Sequence, residues 1–113
     1  MAIAYFTTNG YTISIPLNDT QDYDLVIEKD NKFKSVQVKS TGFKSKYGIF
    51  QVNLRNFGGT KGTEYKTVIN TSVDLLFVVT MEKDLYLIPV EEIKNKNSIN
   101  LSEKYLKYKL EKI

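Results

Sequence analysis

In 113 residues there is no cysteine and no histidine, which excludes disulfides, thiolate and imidazole zinc sites, cysteine nucleophiles and Ser-His-Asp hydrolysis. Hydrophobic residues make up 42%, with eight Tyr, six Phe, six Gly and two Pro, an ordinary globular composition that fits one domain over residues 1–113. The net charge of +3 is uneven, with four acids and no base in residues 1–28 and nine bases against two acids in 29–66; this suits a metal site beside a polyanion surface, or simply solvated lysines on strand edges.

Ala2 to Phe6 reads as the last turns of a helix, closed by Asn9-Gly10, and the chain is expected to enter this helix part-way along. Tyr11 to Ile15 alternates as a short strand ended by Pro16, and Asn18 to Gln21 is a polar loop. Asp24 to Glu28 is predicted as a strand, Asp30-Asn31 as a tight turn and Phe33 to Ser40 as the returning strand. Tyr47 to Leu54 looks like a third strand, 56–63 a loop, and Glu64 to Ser72 a short helix. Asp74 to Thr80 encloses the unbroken apolar run Leu75-Leu76-Phe77-Val78-Val79, the mark of a strand buried on both faces. Asp84 to Ile88 is its expected neighbour, and Pro89 with Glu91 and Glu92 opens a short helix. Ser102 to Ile113 fits a serine-capped helix, yet Tyr105, Tyr108 and Leu110 fit alternation nearly as well. No apolar run approaches the roughly 18 residues that span a bilayer, and Met1 to Gly10 lacks signal-peptide character, so a cytoplasmic location is expected.

Without histidine or cysteine, hydrolysis must rest on carboxylates, amides, lysine and a hard metal. The hairpin offers such a set. A two-residue turn at Asp30-Asn31 pairs Lys29 with Lys32, Glu28 with Phe33, Ile27 with Lys34 and Leu25 with Val36; continued, it pairs Asp24 with Gln37. Alternation then puts Leu25, Ile27, Val36 and Val38 on one apolar face and gathers Asp24, Gln37 and Lys39 on the other. Direct partners stand about 5 Å apart at Cβ, with Lys39 one diagonal step away. Asp24, the Gln37 amide oxygen and the Val38 carbonyl can hold Mg²⁺, while Lys39 orients a water or stabilises developing charge. Plainer readings exist for each: a turn acid satisfied by loop N–H groups, an outward amide and a solvated lysine. The Gly58-Gly59-Thr60-Lys61-Gly62 stretch lacks Walker spacing and reads as a basic connection. Tyr5, Phe6, Tyr11 and Phe77 are expected in the core rather than as base-stacking platforms.

The stretch Tyr23-Asp24-Leu25-Val26-Ile27, followed by Val36-Gln37-Val38-Lys39-Ser40-Thr41, resembles the core of the PD-(D/E)XK nuclease superfamily. More narrowly it is similar to a group I intron-encoded homing endonuclease branch, in which Gln can stand in the Glu position. Asp74 to Val79 and Leu85-Tyr86-Leu87-Ile88-Pro89-Val90-Glu91-Glu92 look like that branch's later strands and short helix, and the likeness runs from about Ala2 to Asn100. The resemblance implies an α/β fold with a restriction-endonuclease-like mixed β-sheet core flanked by helices. It implies catalytic positions at Asp24, Gln37 and Lys39, and Mg²⁺ (or Mn²⁺) held by Asp24, Gln37 and Val38. The implied reaction is hydrolysis of phosphodiester bonds in duplex or branched DNA. Lys32, Lys34, Lys44, Lys46, Arg55 and Lys61 are then expected at phosphates. Such nucleases commonly pair up to cut both strands, so a homo-oligomer, dimer or tetramer, is expected.

Two departures from the pattern stand out. Gln37 removes a negative charge that most of the superfamily supplies. The usual further Glu of the preceding helix has no counterpart, since Met1 to Thr8 contains no acid. Three explanations stay open: a trimmed helix start, substitution by Asp19 or Asp22, or a nuclease-fold DNA-binding or assembly protein that no longer cuts.

Overall fold

The computed structural model describes residues 2–18, 22–54, 56–58, 64–66, 73–94 and 96–111. Helix α1 (Ala2–Thr8) stops where Gly10 takes φ +84°, a left-handed turn that favours glycine. Asn9 Nδ2 donates to the Tyr5 carbonyl at 2.8 Å, and Lys29 Nζ donates to the Asn9 carbonyl at 3.1 Å, so oxygens at this helix end are satisfied. Strand β1 (Thr12–Ser14) follows, and then the hairpin of β2 (Leu25–Lys29) and β3 (Lys32–Thr41). Asp30 and Asn31 take φ of 55° and 63°, the signature of a type I′ turn, and five pairs close from Lys29↔Lys32 to Leu25↔Val36. That is the expected register.

Beyond β3, Lys44 bridges to Phe50 around a turn with Gly48 at φ +77°, leading into β4 (Gln51–Asn53). The strand expected from Tyr47 is therefore shorter at both ends. Asn56–Gly58 (β5) and Glu64–Lys66 (β6) pair with each other, so the loop and helix expected here are instead two strands over those residues. Cross-strand pairing outweighs the weak helix propensity read from Glu64 onward; the rest of that stretch, 67–72, lies outside the described residues. Strand β7 (Leu75–Thr80) and β8 (Leu85–Pro89) come next, then a 3-10 turn, Val90–Glu92, entered through Pro89. Strand β9 (Ser98–Asn100) pairs with β4 and has no counterpart in the sequence reading. The undecided tail is a 3-10 helix, Glu103–Tyr108, followed by β10 (Lys109–Leu110).

Six strands form one mixed sheet in the order β1-β2-β3-β7-β8-β10, and within it only the central β3–β7 pair is parallel. Asp74 secures that junction. Its Oδ2 accepts the Ser35 N–H at 2.9 Å, and its own N–H donates to the Ser35 carbonyl at 3.2 Å. This is the α/β mixed-sheet architecture expected, with α1 on one face and the 3-10 segments on the other.

The register sorts side chains into two cores. On the α1 face, Leu25, Ile27, Val36, Phe77 and Leu85 pack with Ala2 and Phe6. Leu76, Val78, Tyr86 and Ile88 point the other way, into a second core completed by Val52, Leu54, Ile93, Ile99 and Tyr105. The sequence reading foresaw a single apolar face on the hairpin. In fact the face carrying the polar residues also abuts a core, because the β4–β9 ribbon folds over the β7–β8 end of the sheet.

Phe6 anchors the first core. It is fully buried, with ring centroids 5.4 Å from those of Tyr5, Tyr11 and Phe77. Phe6→Ala would remove this hub, and chemical denaturation is expected to show a loss of about 3–5 kcal/mol.

Candidate active site

The β2–β3 ladder ends at Leu25↔Val36, and the chain bends at Asp24 instead of continuing into a Gln37 pair. The Asp24 N–H donates to the Val36 carbonyl at 2.9 Å, and its Oδ2 accepts the Val38 N–H at 2.7 Å. The carboxylate thus takes the place of the missing next strand residue and lies along the β3 edge from Val36 to Val38. In a strand, a residue's N–H and C=O point to the same side. The Val38 carbonyl therefore faces the edge that Asp24 occupies.

Gln37 and Lys39 project from β3 on the face of Leu76 and Val78, their partners across the parallel pair. Gln37 is 8% exposed. The residue makes other interactions, but its Oε1 atom is buried and accepts no hydrogen bond. Lys39 is half-buried, and burial lowers its ammonium pKa below the ordinary lysine value, partly opposed by the Asp24 carboxylate. That opposition means Asp24 and Lys39 are close enough to feel one another. Asp24 and Lys39 are thus neighbours at the end of β2, with Gln37 next to Lys39 on the same face of β3, although the expected Asp24–Gln37 ladder pair does not form.

The other expected residues divide. Lys32 and Lys34 share a face with Ile27 and Val36, and line a groove with Tyr11, Lys29, Leu75 and Leu87 on the α1 side. They stand on the opposite side of the sheet from Gln37 and Lys39. Lys44 pairs with Glu82 at 2.8 Å and sits 4.8 Å from the Phe50 ring centroid, while Lys46 lies over Tyr47 at 5.2 Å. Arg55, Lys61 and Asp19 lie outside the described residues, and Asp22 is half-buried two residues before Asp24. Helix α1 packs against the face away from the site, through Ala2 and Phe6. The Asp74–Ser35 clamp was not singled out from sequence; the only cue for it is an acid opening an apolar run.

With this geometry in view, the comparisons are decisive about family. A family model described as PD-(D/E)XK endonuclease matches residues 1–112. The chain belongs to that family. It is also similar to Protein 5.3 of Escherichia phage T7, at 38% identity over 102 residues, covering 88% of this chain and 80% of that protein. A bacterial homing endonuclease of solved structure, I-Ssp6803I, has the same fold with a TM-score of 0.72 and 25% identity, covering 96% of this chain and 78% of its own. Family and fold together support a nuclease.

PD-(D/E)XK nucleases generally use divalent metals. The donor set suits a hard cation: a carboxylate, an amide oxygen and a main-chain carbonyl are all oxygen ligands. Among the described residues no three acidic side chains converge. Asp24 is the one carboxylate among the residues assigned to this PD-(D/E)XK site, so a cation held by that set alone would be held more weakly than by two carboxylates.

Lys39 also has a signature in stability. A lysine whose folded pKa lies below its unfolded value binds its proton less well in the fold, so its charge costs stability. That cost is fully present below the lowered pKa and vanishes as pH rises past the ordinary value of about 10.4. Lys39→Met is therefore expected to melt at the same or a higher temperature at pH 7, with the difference fading at alkaline pH. A lower melting temperature at pH 7 would show instead that the lysine holds the fold together.

Proposed function

We propose that this chain is a metal-dependent DNA endonuclease that hydrolyses phosphodiester bonds of duplex or branched DNA at the Asp24, Gln37, Lys39 site. The observation that carries the reading is the Asp24 carboxylate bonded to the Val38 N–H at the end of β2, beside Lys39 and on the strand whose one face carries both Gln37 and Lys39. Asp24, the Gln37 amide oxygen and the Val38 carbonyl would hold the cation, Mg²⁺ or Mn²⁺. When bound it would supply a more acidic water and neutralise phosphate charge.

The chain's own groups do the rest. Lys39, half-desolvated, aims an ammonium at the reacting phosphate with less competing hydration than a surface lysine. As a donor it orients the attacking water or stabilises charge as it builds on the phosphate oxygens. Asp24 keeps that ammonium charged and, through its second oxygen, fixes the β3 edge. Phosphate contacts are assigned to Lys46, and to Lys44 once it leaves Glu82, both in the loop that follows β3. Lys32 and Lys34 are not assigned to the same DNA tract, because they face the other side of the sheet. Since cleavage of two strands takes two sites, the proposed working form is a homo-oligomer.

A specific observation favours a second reading. Asp24 is the one carboxylate among the assigned residues and Gln37 is neutral, so the proposed site would hold a cation weakly, which suits a nuclease-fold protein that binds DNA without cutting it. A plasmid-nicking assay with Mg²⁺ and with Mn²⁺ separates the two. Nicking is expected, with Lys39→Ala and Asp24→Ala each slowing it by roughly a hundredfold or more. Cleavage that survives Lys39→Ala would remove this site from the chemistry, and salt-sensitive DNA binding without any nicking would establish the second reading.

A further inference from the structure

Strands β4 and β9 form an antiparallel ribbon with Gln51 opposite Asn100, Val52 opposite Ile99 and Asn53 opposite Ser98. One side of it is apolar, since Val52 and Ile99 are 1% and 4% exposed within the second core. Alternation places Gln51, Asn53, Ser98 and Asn100 together on the other side. Gln51 is half-buried and the other three are exposed. Phe43 and Asn97 join Gln51, Asn53 and Ser98 around an open groove of about 450 Å³.

The composition of this surface is unusual for an exposed ribbon, which is ordinarily defended by charge. Its outer side is all amide and hydroxyl. Lys44 and Lys46 precede β4, Lys94 and Lys96 precede β9, and residues 42–54 and 93–101 contain no acid; of these lysines, Lys44 is paired with Glu82 at 2.8 Å and Lys94 lines a groove with Asp74 and Glu91. A neutral hydrogen-bonding strip with lysines flanking both of its strands in sequence complements a duplex, whose phosphates flank the base edges of its grooves.

We infer that the β4–β9 ribbon reads base edges in the major groove of DNA, with Gln51, Asn53 and Asn100 making hydrogen bonds and Phe43 an apolar contact. The inference rests on the nuclease reading and names the element that would give it sequence preference. A major groove about 12 Å wide admits a two-stranded ribbon. An amide offers a donor and an acceptor side by side, which matches the N6 and N7 of adenine, and an aromatic ring can pack on the thymine methyl; Gln51 Nε2 would exchange its long 3.4 Å bond to Ser98 Oγ for the base. The preference is therefore for A·T pairs. Position supports the same assignment. The Thr41 hydroxyl donates to the Gln51 carbonyl, and Thr41 stands two residues, about 7 Å, beyond Lys39 on the same face of β3. At about 3.4 Å per base pair, the bases read lie within roughly five pairs of the bond attacked.

The test is a binding selection with the full chain and a random-sequence DNA duplex pool, run without divalent metal so that nothing is cut. Wild type is expected to enrich A·T pairs at two or three adjacent positions. In the double variant Gln51→Ala, Asn53→Ala that enrichment should fall by on the order of tenfold, while affinity for a non-enriched duplex and its salt dependence stay as they were. Gln51→Lys, which keeps a long polar side chain, should move one position toward G·C. Unbiased recovery by wild type overturns the inference, as does unchanged enrichment in the double variant, an equal loss on the non-enriched duplex, or tighter binding of the same pool as single strands. The nicking assay stands apart: enrichment without nicking keeps the ribbon and removes the nuclease, and nicking without enrichment does the reverse.

Discussion

In the β2–β3 hairpin, Asp30 and Asn31 hold two consecutive residues at positive φ, so the strands must close with Lys29 opposite Lys32. The placement of side chains on the two faces of β2 and β3 follows from that closure. Because strand side chains alternate with period two, a turn one residue longer would carry Leu25 and Ile27 out of the α1 core and turn Asp24 away from Lys39. The parallel β3–β7 pair then passes the same alternation to the centre of the sheet, with Gln37 beside Leu76 and Lys39 beside Val78. The Asp74–Ser35 hydrogen bonds fix that second register at its first residue. Fold and site thus share one constraint, and a sequence change that altered the turn would disturb both together.

Gln37 shows what this arrangement costs and gains. Its position is nearly closed to water, where a carboxylate would suffer a large desolvation penalty unless a cation were always present. An amide at the same place folds without a cation and, in the proposed site, would offer one a neutral oxygen. The trade is a weaker hold on the cation. Lys39 follows the opposite logic, since it keeps a charge in a half-buried place at some expense to stability, with Asp24 in partial compensation.

The parts of this structure that could be read from sequence are those decided locally. The hairpin was legible because Asp30-Asn31 is a strong turn signal and the flanking residues alternate; β7 was legible because five apolar residues in a row suit a strand covered on both faces. Asp24 was placed correctly beside Lys39 although the ladder stops one residue short of it, because its carboxylate hydrogen-bonds onward to Val38. What escaped was set by distant partners. Ser98-Ile99-Asn100 carries one apolar residue and becomes a strand only against Gln51–Asn53, some 47 residues away. Glu64–Lys66 likewise becomes a strand through Asn56–Gly58. The second core could not be foreseen either, since its members come from five separate stretches of chain.

The basic middle of the sequence divides once it is folded, and the division limits how DNA can approach. Lys29, Lys32 and Lys34 all lie toward the α1 side, and Lys29 is already engaged, reaching the carbonyl at the end of α1 and standing 4.9 Å from the centroid of the Tyr11 ring. A cation at a helix C-terminus is favourable in its own right, so this lysine has a structural role. On the other face the charge comes from the loop after β3 and the turn before β9, next to the ribbon that covers the second core. A duplex brought to Lys39 must therefore lie over the ribbon side of the sheet, with the hairpin turn behind it. The charge asymmetry visible along the chain is thus divided between two faces of the sheet, and only one of them carries Lys39.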